Sequence, residues 1–436
     1  MEIFKVQAAS RNGVLPNSAT SANHKSQIMN RIFSDKEITA FREDTDGCSQ
    51  VIHLNNAGAG LMPNTVTHAI LEHIKLESQI GGYEASALRT NAILQFYELA
   101  ATLINCKPSN IAFTASATDS YTRALSSIPF LQGDIILTDN DDFISNQIQF
   151  LSCKKRFGIE IVRIKNARGG GVDLEDLEQK LMKLQPRLLA ITHIPTNSGL
   201  VQPVNEIAEI YKHYTQKHPG KTWYILDACQ SIGQMKVDVQ ELQCDFLSVT
   251  GRKFLRGPRG TGFLYISDKA LEQGLEPLFI DMRGAEWIEK DEYKQRPDGM
   301  RYEDWEFAYA LILGTAKAIE YCLAIGEDKI WQEVKGLSTY MRNQLAGINK
   351  ISVLDRGPEV GGLVTFTVDG LQPKIITDAL LQRKINVVPS YRNFAVIDFD
   401  EKQVQWAIRA SPHYYNTIAE IDVFLDAMRE IVNSES

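Results

Sequence analysis

The 436-residue sequence contains little cysteine, and its six cysteines are scattered along the chain. None of them forms a C-x-x-C pair, and no cysteine and histidine cluster has the spacing of a zinc site. A disulfide framework is not expected in so long a chain. We therefore predict reduced and mostly buried thiols, no metal site and a cytoplasmic location.

The sequence also lacks long apolar runs and clustered basic residues. No run of about 18 or more apolar residues indicates a membrane span. The 46 basic and 54 acidic residues give a formal charge of −8, and we expect neither a membrane nor a nucleic-acid partner. Residues 1–30 are polar and have no apolar segment typical of a secretory signal. We predict that they form a flexible arm.

Short apolar runs alternate with amphipathic helical segments between about residues 110 and 270. This alternation predicts an α/β fold with a mostly parallel sheet that helices cover on both faces. The runs are 134–138, 160–164, 188–194, 223–226, 246–249 and 262–266.

Beyond about residue 290 the pattern changes to longer helices and isolated strands. A helix is expected over about 305–325, and a terminal helix from about Thr417 with Asn416 as its cap. We predict a segment over 31–54 that packs on a small domain, a large domain over 55–290, and a small α+β domain over 291–436.

Two residues that follow predicted strands carry the chemical argument. Asp227 and Lys253 should lie at the same edge of the sheet, where ligands of open α/β sheets bind. Alone, such an aspartate is more often a cap and such a lysine a surface group. Together they match the needs of pyridoxal 5′-phosphate, because the amine forms an imine and the carboxylate keeps the pyridine nitrogen protonated.

Three segments near these residues resemble the class V aminotransferase superfamily of pyridoxal phosphate enzymes, which includes cysteine desulfurases and isopenicillin N epimerase-like enzymes. The segments are 223–230, 250–253 and 257–262, and the resemblance extends over about residues 50–430. It implies a fold type I transferase, with a large domain built on a mostly parallel seven-stranded sheet and a smaller α+β C-terminal domain. It also implies a homodimer that acts on a small amino acid.

The resemblance assigns roles to residues that would bind the cofactor. Lys253 matches the lysine that forms the Schiff base, and Asp227 the carboxylate on the pyridine nitrogen. Gln230 matches the residue that bonds the ring hydroxyl. The remaining matches are Ala117 and Thr118 in a phosphate-binding turn, Thr250 and Arg252 beside the phosphate, Phe143 stacked on the ring, and Thr196 where desulfurases carry an asparagine.

A second set of residues matches the substrate side of the site. Arg409 corresponds to the arginine that binds the substrate carboxylate, for which a planar guanidinium is suited. Asn56 and Ala57 correspond to the loop that lines the carboxylate. Without the resemblance, Phe143 could be a core residue, Thr118 a helix cap and Arg409 part of a structural ion pair.

The sequence departs from the desulfurases in two segments. Val387–Asn393, which matches the loop that carries the sulfur-accepting cysteine, contains no cysteine. In 301–306, a different sequence replaces the second-subunit phosphate loop, so that contact is expected from Arg301 or another group. Both departures favour the epimerase-like branch over the desulfurases.

We therefore predict an enzyme that acts at the α-carbon of a small amino acid by transamination or β-elimination, without a loop cysteine. The alternatives are an amino-acid epimerase and a non-catalytic protein that binds pyridoxal phosphate. An NAD-dependent Rossmann enzyme is disfavoured, because the glycines at 257–262 follow Lys253 and do not open a helix after a first strand.

Overall fold

The computed structural model describes residues 31–434, and these contain fifteen β-strands. The expected arm, residues 1–30, lies outside the described residues. The strands are β1 (Ile52–His53), β2 (Ile111–Thr114), β3 (Ile135–Thr138), β4 (Glu160–Arg163), β5 (Leu188–Thr192), β6 (Trp223–Asp227), β7 (Phe246–Thr250), β8 (Gly262–Ile266), β9 (Ala285–Glu289), β10 (Glu292–Gln295), β11 (Ile351–Val353), β12 (Val364–Val368), β13 (Ile385–Asn386), β14 (Val388–Tyr391) and β15 (Trp406–Ala410).

Fifteen α-helices connect and cover these strands in the described part of the chain. They are α1 (Asp35–Glu43), α2 (Asn64–Ile80), α3 (Gly82–Leu88), α4 (Thr90–Ile104), α5 (Ala117–Ser127), α6 (Ile144–Phe157), α7 (Leu174–Leu184), α8 (Val204–Lys217), α9 (Val239–Leu242), α10 (Asp268–Glu272), α11 (Tyr309–Ile325), α12 (Glu327–Ala346), α13 (Pro373–Gln382), α14 (Val396–Lys402) and α15 (Ile418–Ser434).

The largest sheet has seven strands in the order β2-β8-β7-β6-β5-β3-β4. Strand β8 is antiparallel to both neighbours, and the other pairs are parallel. The predicted α/β class and mostly parallel sheet are therefore confirmed. Every residue of β5, β6 and β7 is buried, because helices cover both faces, and their carboxyl ends form one edge of the sheet.

A second sheet lies later in the chain and consists of four antiparallel strands in the order β11-β12-β15-β14. Strand β15 is central in this sheet and carries Arg409. Strand β1 pairs in parallel with β13, and Asn55 forms a parallel bridge with Ser411, directly after β15. These pairings hold the loop after β1 beside the end of β15.

Helix α11 packs against α2 and α4, with Ile312 and Ile319 in the same core as Phe96. The sequence placed this helix in the small domain, yet residues from Arg31 onward form one compact unit. The expected boundary between 290 and 291 stays a prediction. The helix begins at Tyr309 and not at 305, and the N–H of Trp305 donates instead to the Asp281 carboxylate over 2.7 Å.

The cap of α15 also differs from the expectation. The Thr417 hydroxyl accepts from the Glu420 N–H over 3.1 Å, and the Glu420 carboxylate accepts from the Thr417 N–H over 3.1 Å. This reciprocal pair is a capping box. Asn416 instead accepts from the His413 N–H through its side chain, so its prediction as the cap was wrong.

Among residues 31–434, no individual helix combines the length and apolar character needed to cross a bilayer. Helices α11 and α12 pass such a test only as a pair, and they are bent by 81° relative to each other.

Candidate active site

Lys253 lies three residues beyond β7 and is buried. Burial lowers the pKa of its amine from 10.5 to about 8, although the nearby Asp227 carboxylate favours the charged form. A lysine with this pKa is partly neutral near physiological pH, whereas an exposed lysine is almost entirely charged. The residue can therefore act as a nucleophile and as a base.

Asp227 is the last residue of β6 and is also buried. One carboxylate oxygen accepts from the N–H of Cys229 over 2.9 Å. The other accepts from the side-chain amide of Asn146 over 3.1 Å. Both oxygens are thus held in place by neutral donors, as expected for a carboxylate that faces a positively charged group of a ligand.

Lys253 and Asp227 line one cavity of about 490 Å³ at the carboxyl edge of the large sheet. All nine residues expected to bind the cofactor line this cavity. The lining residues are Ser116, Ala117, Thr118, Phe143, Asn146, Thr192, Ile194, Thr196, Asp227, Cys229, Gln230, Thr250, Arg252 and Lys253.

The amino end of α5 forms one wall of the cavity. Ser116 caps the helix by accepting from the Asp119 N–H over 3.1 Å, which leaves the N–H groups of Ala117 and Thr118 without an intrahelical partner. A side chain at Gly262 would lie 3.0 Å from the Ala117 nitrogen, so glycine permits this close approach. Free N–H groups and the helix dipole suit a phosphate.

Arg252 and Thr250 lie beside this wall. One guanidinium nitrogen of Arg252 donates to the Thr250 hydroxyl over 2.8 Å, while its Nε is buried without a partner. Burial lowers the pKa of Arg252. No carboxylate among residues 31–434 forms an ion pair with it, which leaves its charge available for an anionic ligand.

Gln230 connects the cofactor side of the cavity to the loop after β1. Its side-chain N–H₂ donates to the Ala57 carbonyl over 3.1 Å and to the Thr196 hydroxyl over 2.7 Å. Its carbonyl oxygen Oε1 is buried without a hydrogen-bond partner. A buried acceptor without a donor is costly, and the ring hydroxyl of pyridoxal phosphate would supply that donor.

Arg409 lies next to this group. It donates to the Thr196 carbonyl over 2.8 Å and to the Asn55 side chain over 3.3 Å, and its Nε is buried without a partner. Burial and the positive charge of Arg252 lower the pKa of Arg409 to about 10. Within residues 31–434 it forms no ion pair, so the structure does not support a purely structural salt bridge.

The loop after β1 contacts Arg409 through Asn55, and the carboxylate-lining role expected of Asn56 and Ala57 stays a prediction. Asn56 is buried, and its side-chain nitrogen donates to the carbonyls of Ser411 and His53 over 2.8 and 3.4 Å. The side chain of Asn56 is thus committed to holding the loop, whereas Ala57 offers its carbonyl to Gln230.

Phe143 precedes α6, and its ring centroid lies 6.0 Å from the Lys253 Nζ. Phe143 is only partly buried, so it is a wall of the cavity and not a member of the core. An aromatic ring supplies stacking and carries no transferable proton.

Sequence reasoning missed five lining residues: Ser116, Asn146, Thr192, Ile194 and Cys229. Thr192 ends β5 just as Asp227 ends β6, so the strand-end pattern could have found it. Asn146 lies in the first turn of α6, four residues after Asp142, which precedes the helix, and no local pattern marked it.

The expectation that Arg301 or another group contacts the phosphate of a second subunit stays a prediction. Its side chain is buried and donates to the carbonyls of Arg296, Leu275 and Leu271 over 2.7, 2.8 and 3.3 Å. These bonds engage its guanidinium with carbonyls of its own chain. In residues 31–434, no group of three or more histidine, cysteine, aspartate or glutamate residues is arranged to hold a metal ion.

The sequence model of the aminotransferase class-V family matches residues 52–424. This range includes every residue that lines the cavity. The chain belongs to the aminotransferase class-V family. The expected enzyme class and the cofactor, pyridoxal phosphate, are confirmed, and the unpaired groups of Gln230, Arg252 and Arg409 fit that cofactor and an amino-acid carboxylate.

Relatives of this class V enzyme match it over nearly their whole length. A "probable cysteine desulfurase" of Pyrococcus abyssi is 28% identical over 402 residues, which cover 90% of this chain and 97% of the relative. A protein of Methanothermobacter thermautotrophicus with the same description is 27% identical over 386 residues, covering 87% of this chain and 94% of the relative.

Solved structures of other proteins are also similar to this chain over most of its length. The apo structure of a cysteine desulfurase from Thermococcus onnurineus superposes with a TM-score of 0.82 at 26% identity and covers 91% of this chain and 98% of that chain. The cystine C–S lyase C-DES, solved with cysteine persulfide, has a TM-score of 0.78 at 24% identity and covers 88% and 99%. The second likeness concerns the fold alone.

Uptake of pyridoxal phosphate by the apo-protein should depend on pH through the Lys253 amine. With a pKa of about 8, about a quarter of the amines are neutral at pH 7.5, against about one in a thousand for an exposed lysine. The rate of uptake, measured by rapid-mixing absorbance, should rise with pH and level off above about 8. Lys269→Ala, which removes a lysine paired with Asp245, should leave this profile unchanged. A profile that still rises near pH 10 would contradict the assignment.

Proposed function

We propose that this enzyme acts at the α-carbon of a small amino acid and eliminates a β-substituent, in the manner of a C–S lyase. The observation that carries the proposal is the cavity's single amine, Lys253, facing a ring that carries no transferable proton, Phe143. The relatives described as cysteine desulfurases support a substrate with sulfur on its β-carbon.

The residues would divide the work as follows. Arg409 would hold the substrate carboxylate, since its guanidinium has an unpaired Nε and no acidic partner within residues 31–434. Lys253 removes the α-proton with its neutral amine. Asp227 would keep a positive charge on the ring nitrogen of bound pyridoxal phosphate. Pyridoxal phosphate, when bound, supplies an electron sink for the pair left on the α-carbon.

The same geometry argues against the epimerase alternative. Inversion at the α-carbon requires a proton on the face opposite to the one from which it was removed. The Phe143 ring, whose centroid lies 6.0 Å from the Lys253 Nζ, is the group we place on that second face, and it cannot donate a proton. Transamination needs no second face, so it remains the competing outcome of the test below.

We also propose that sulfur leaves this enzyme without a stage as a protein persulfide. The segment Val387–Asn393 has no cysteine, and Ser390 within it bonds the Asn197 side chain. Cys229 lines the cavity, but burial and the nearby Asp227 charge raise the pKa of its thiol well above the usual value. A protonated, buried thiol is a poor nucleophile.

A non-catalytic role as a binder of pyridoxal phosphate receives less support. Such a protein has no need of a second buried guanidinium beyond the phosphate wall. Arg409 is held at that position by Thr196 and Asn55, without an ionic partner in residues 31–434. Burying an uncompensated charge costs stability. A substrate carboxylate would pair with that charge, which explains why the arginine is kept at this position.

We further propose a homodimer in the cytoplasm. Large apolar side chains are exposed near the β9–β10 hairpin, among them Phe279, Met282 and Trp287, and exposed apolar patches of this kind favour association. The six cysteines are free, as is usual in a reducing compartment.

Turnover products should decide the reaction. When the holoenzyme is incubated with cysteine, cystine and other amino acids that carry a β-leaving group, we expect pyruvate and ammonia in equal amounts. Intact-mass spectrometry should show no sulfur added to the protein. A stable conversion of the cofactor to its pyridoxamine form would indicate transamination instead. Persulfide on Cys229 would contradict the proposed release of sulfur.

Loss of Arg409 should affect substrate binding before cofactor binding. Arg409→Leu removes the only proposed carboxylate ligand, and we expect KM to rise by about 100-fold or more, in line with the loss of a charge-assisted bond. The cofactor content should stay unchanged. Arg392→Leu, which removes an exposed arginine paired with Asp400, is the control. Equal KM values for both variants would contradict the role.

Sedimentation velocity should report twice the mass of one chain. Trp287→Glu combined with Phe279→Glu places charge on the exposed apolar surface and should yield monomers, because a buried unpaired charge opposes association. Exchanging the exposed Leu131 for glutamate is the matched control. A monomeric native protein would contradict the proposal.

A further inference from the structure

The Asp227 carboxylate is held by two donors of different origin. The N–H of Cys229 belongs to the same turn and fixes one oxygen. The second oxygen depends on Asn146, a buried side chain of α6. No sequence motif pointed to Asn146, whose side chain links Asp227 to a second buried carboxylate, Asp142.

Asn146 uses one nitrogen for both carboxylates. Its Nδ2 lies 3.1 Å from Asp227 and 2.9 Å from Asp142. An amide side chain can present either its oxygen or its nitrogen to a neighbour. Because ionised carboxylates only accept hydrogen bonds, the two acids together require the N–H₂ end, and Asp142 thereby sets the orientation that Asp227 receives.

Asp142 is itself rigidly held. It accepts from the Thr192 hydroxyl over 2.6 Å, the Gln147 amide over 2.8 Å and the Phe143 N–H over 2.6 Å. Burial raises the pKa of Asp142 to about 6, although these bonds oppose the shift, so the group is ionised near neutral pH. Ionisable neighbours of Asp142 include Asp139, Asp227 and Tyr121.

We propose that Asn146, oriented by Asp142, is a positioning residue that holds Asp227 against the cofactor's ring nitrogen. The inference rests on the cofactor role proposed for Asp227. The Asn146 N–H occupies one acceptor position of the Asp227 oxygen and prevents rotation of the carboxylate, so that the remaining acceptor positions stay directed into the cavity. Without the bridge, two buried anions would also face each other unscreened.

The test uses Asn146→Ala and Asp142→Asn in the full-length holoenzyme, with Asn140→Ala as the control. Asn140 lies on the same connection, but its amide bonds only the Ile164 carbonyl and Asn166 within the described residues. Asp142→Asn keeps the size of the side chain and removes its charge. Thermal melting and cofactor content establish that each variant folds and binds the cofactor.

The first readout is the pH titration of the cofactor's visible absorbance band without substrate. A protonated ring nitrogen lowers the pKa of the neighbouring imine, which the absorbance band reports. A misplaced Asp227 would protonate that nitrogen less fully, so the pKa of the imine should rise by about one unit. We expect this rise in both variants and no change in Asn140→Ala. An imine pKa that stays unchanged in Asn146→Ala and Asp142→Asn would overturn the proposal.

The second readout is turnover. Loss of a group that orients a metal ligand costs about 10- to 100-fold in activity, and by the same reasoning we expect kcat to fall by a similar factor while KM changes by less than about twofold. The two changes should not add in the double variant, because they break one chain of hydrogen bonds. Additive effects would overturn the coupling through Asp142. If the wild-type holoenzyme turns over no amino acid, the proposed reaction fails, and the band titration still tests Asn146.

Discussion

Buried positive charge without an acidic partner is the constraint on which the site depends. Arg252 lines the cavity and Arg409 adjoins it, and neither forms an ion pair with a carboxylate of residues 31–434. Removing such charges from water costs several kcal/mol each, by an order-of-magnitude estimate. A phosphate and an amino-acid carboxylate would offset that cost. The two guanidinium groups therefore favour the binding of two anions.

Thr196 joins the two parts of the site. Its hydroxyl accepts from Gln230, which faces the cofactor, and its carbonyl accepts from Arg409, which faces the substrate. One short loop after β5 therefore fixes the distance between the two groups. The loop after β1 closes the same network, because Ala57 accepts from Gln230 and Asn55 from Arg409. Contacts between chain segments far apart in sequence make the site.

The sequence predicted the sheet, and it named nine residues that line the cavity, because these follow from local patterns. Apolar runs identify buried parallel strands, and residues that end such strands, such as Asp227, must meet at one edge. The rest depends on contacts that no local pattern contains. Asn146 reaches Asp227 across 81 positions, Arg301 turns inward to carbonyls of its own subunit, and Asn55, not its neighbour Asn56, faces Arg409 because Ser411 binds the latter.

The central claim is that the buried amine at position 253 is where this chain holds its cofactor. Borohydride reduction of the full-length holoenzyme, followed by peptide mapping, tests it most directly. The account predicts that the reduced cofactor is found on Lys253 and on no other lysine. A label on a different lysine, or a visible cofactor band that borohydride does not attach to the protein, would contradict it.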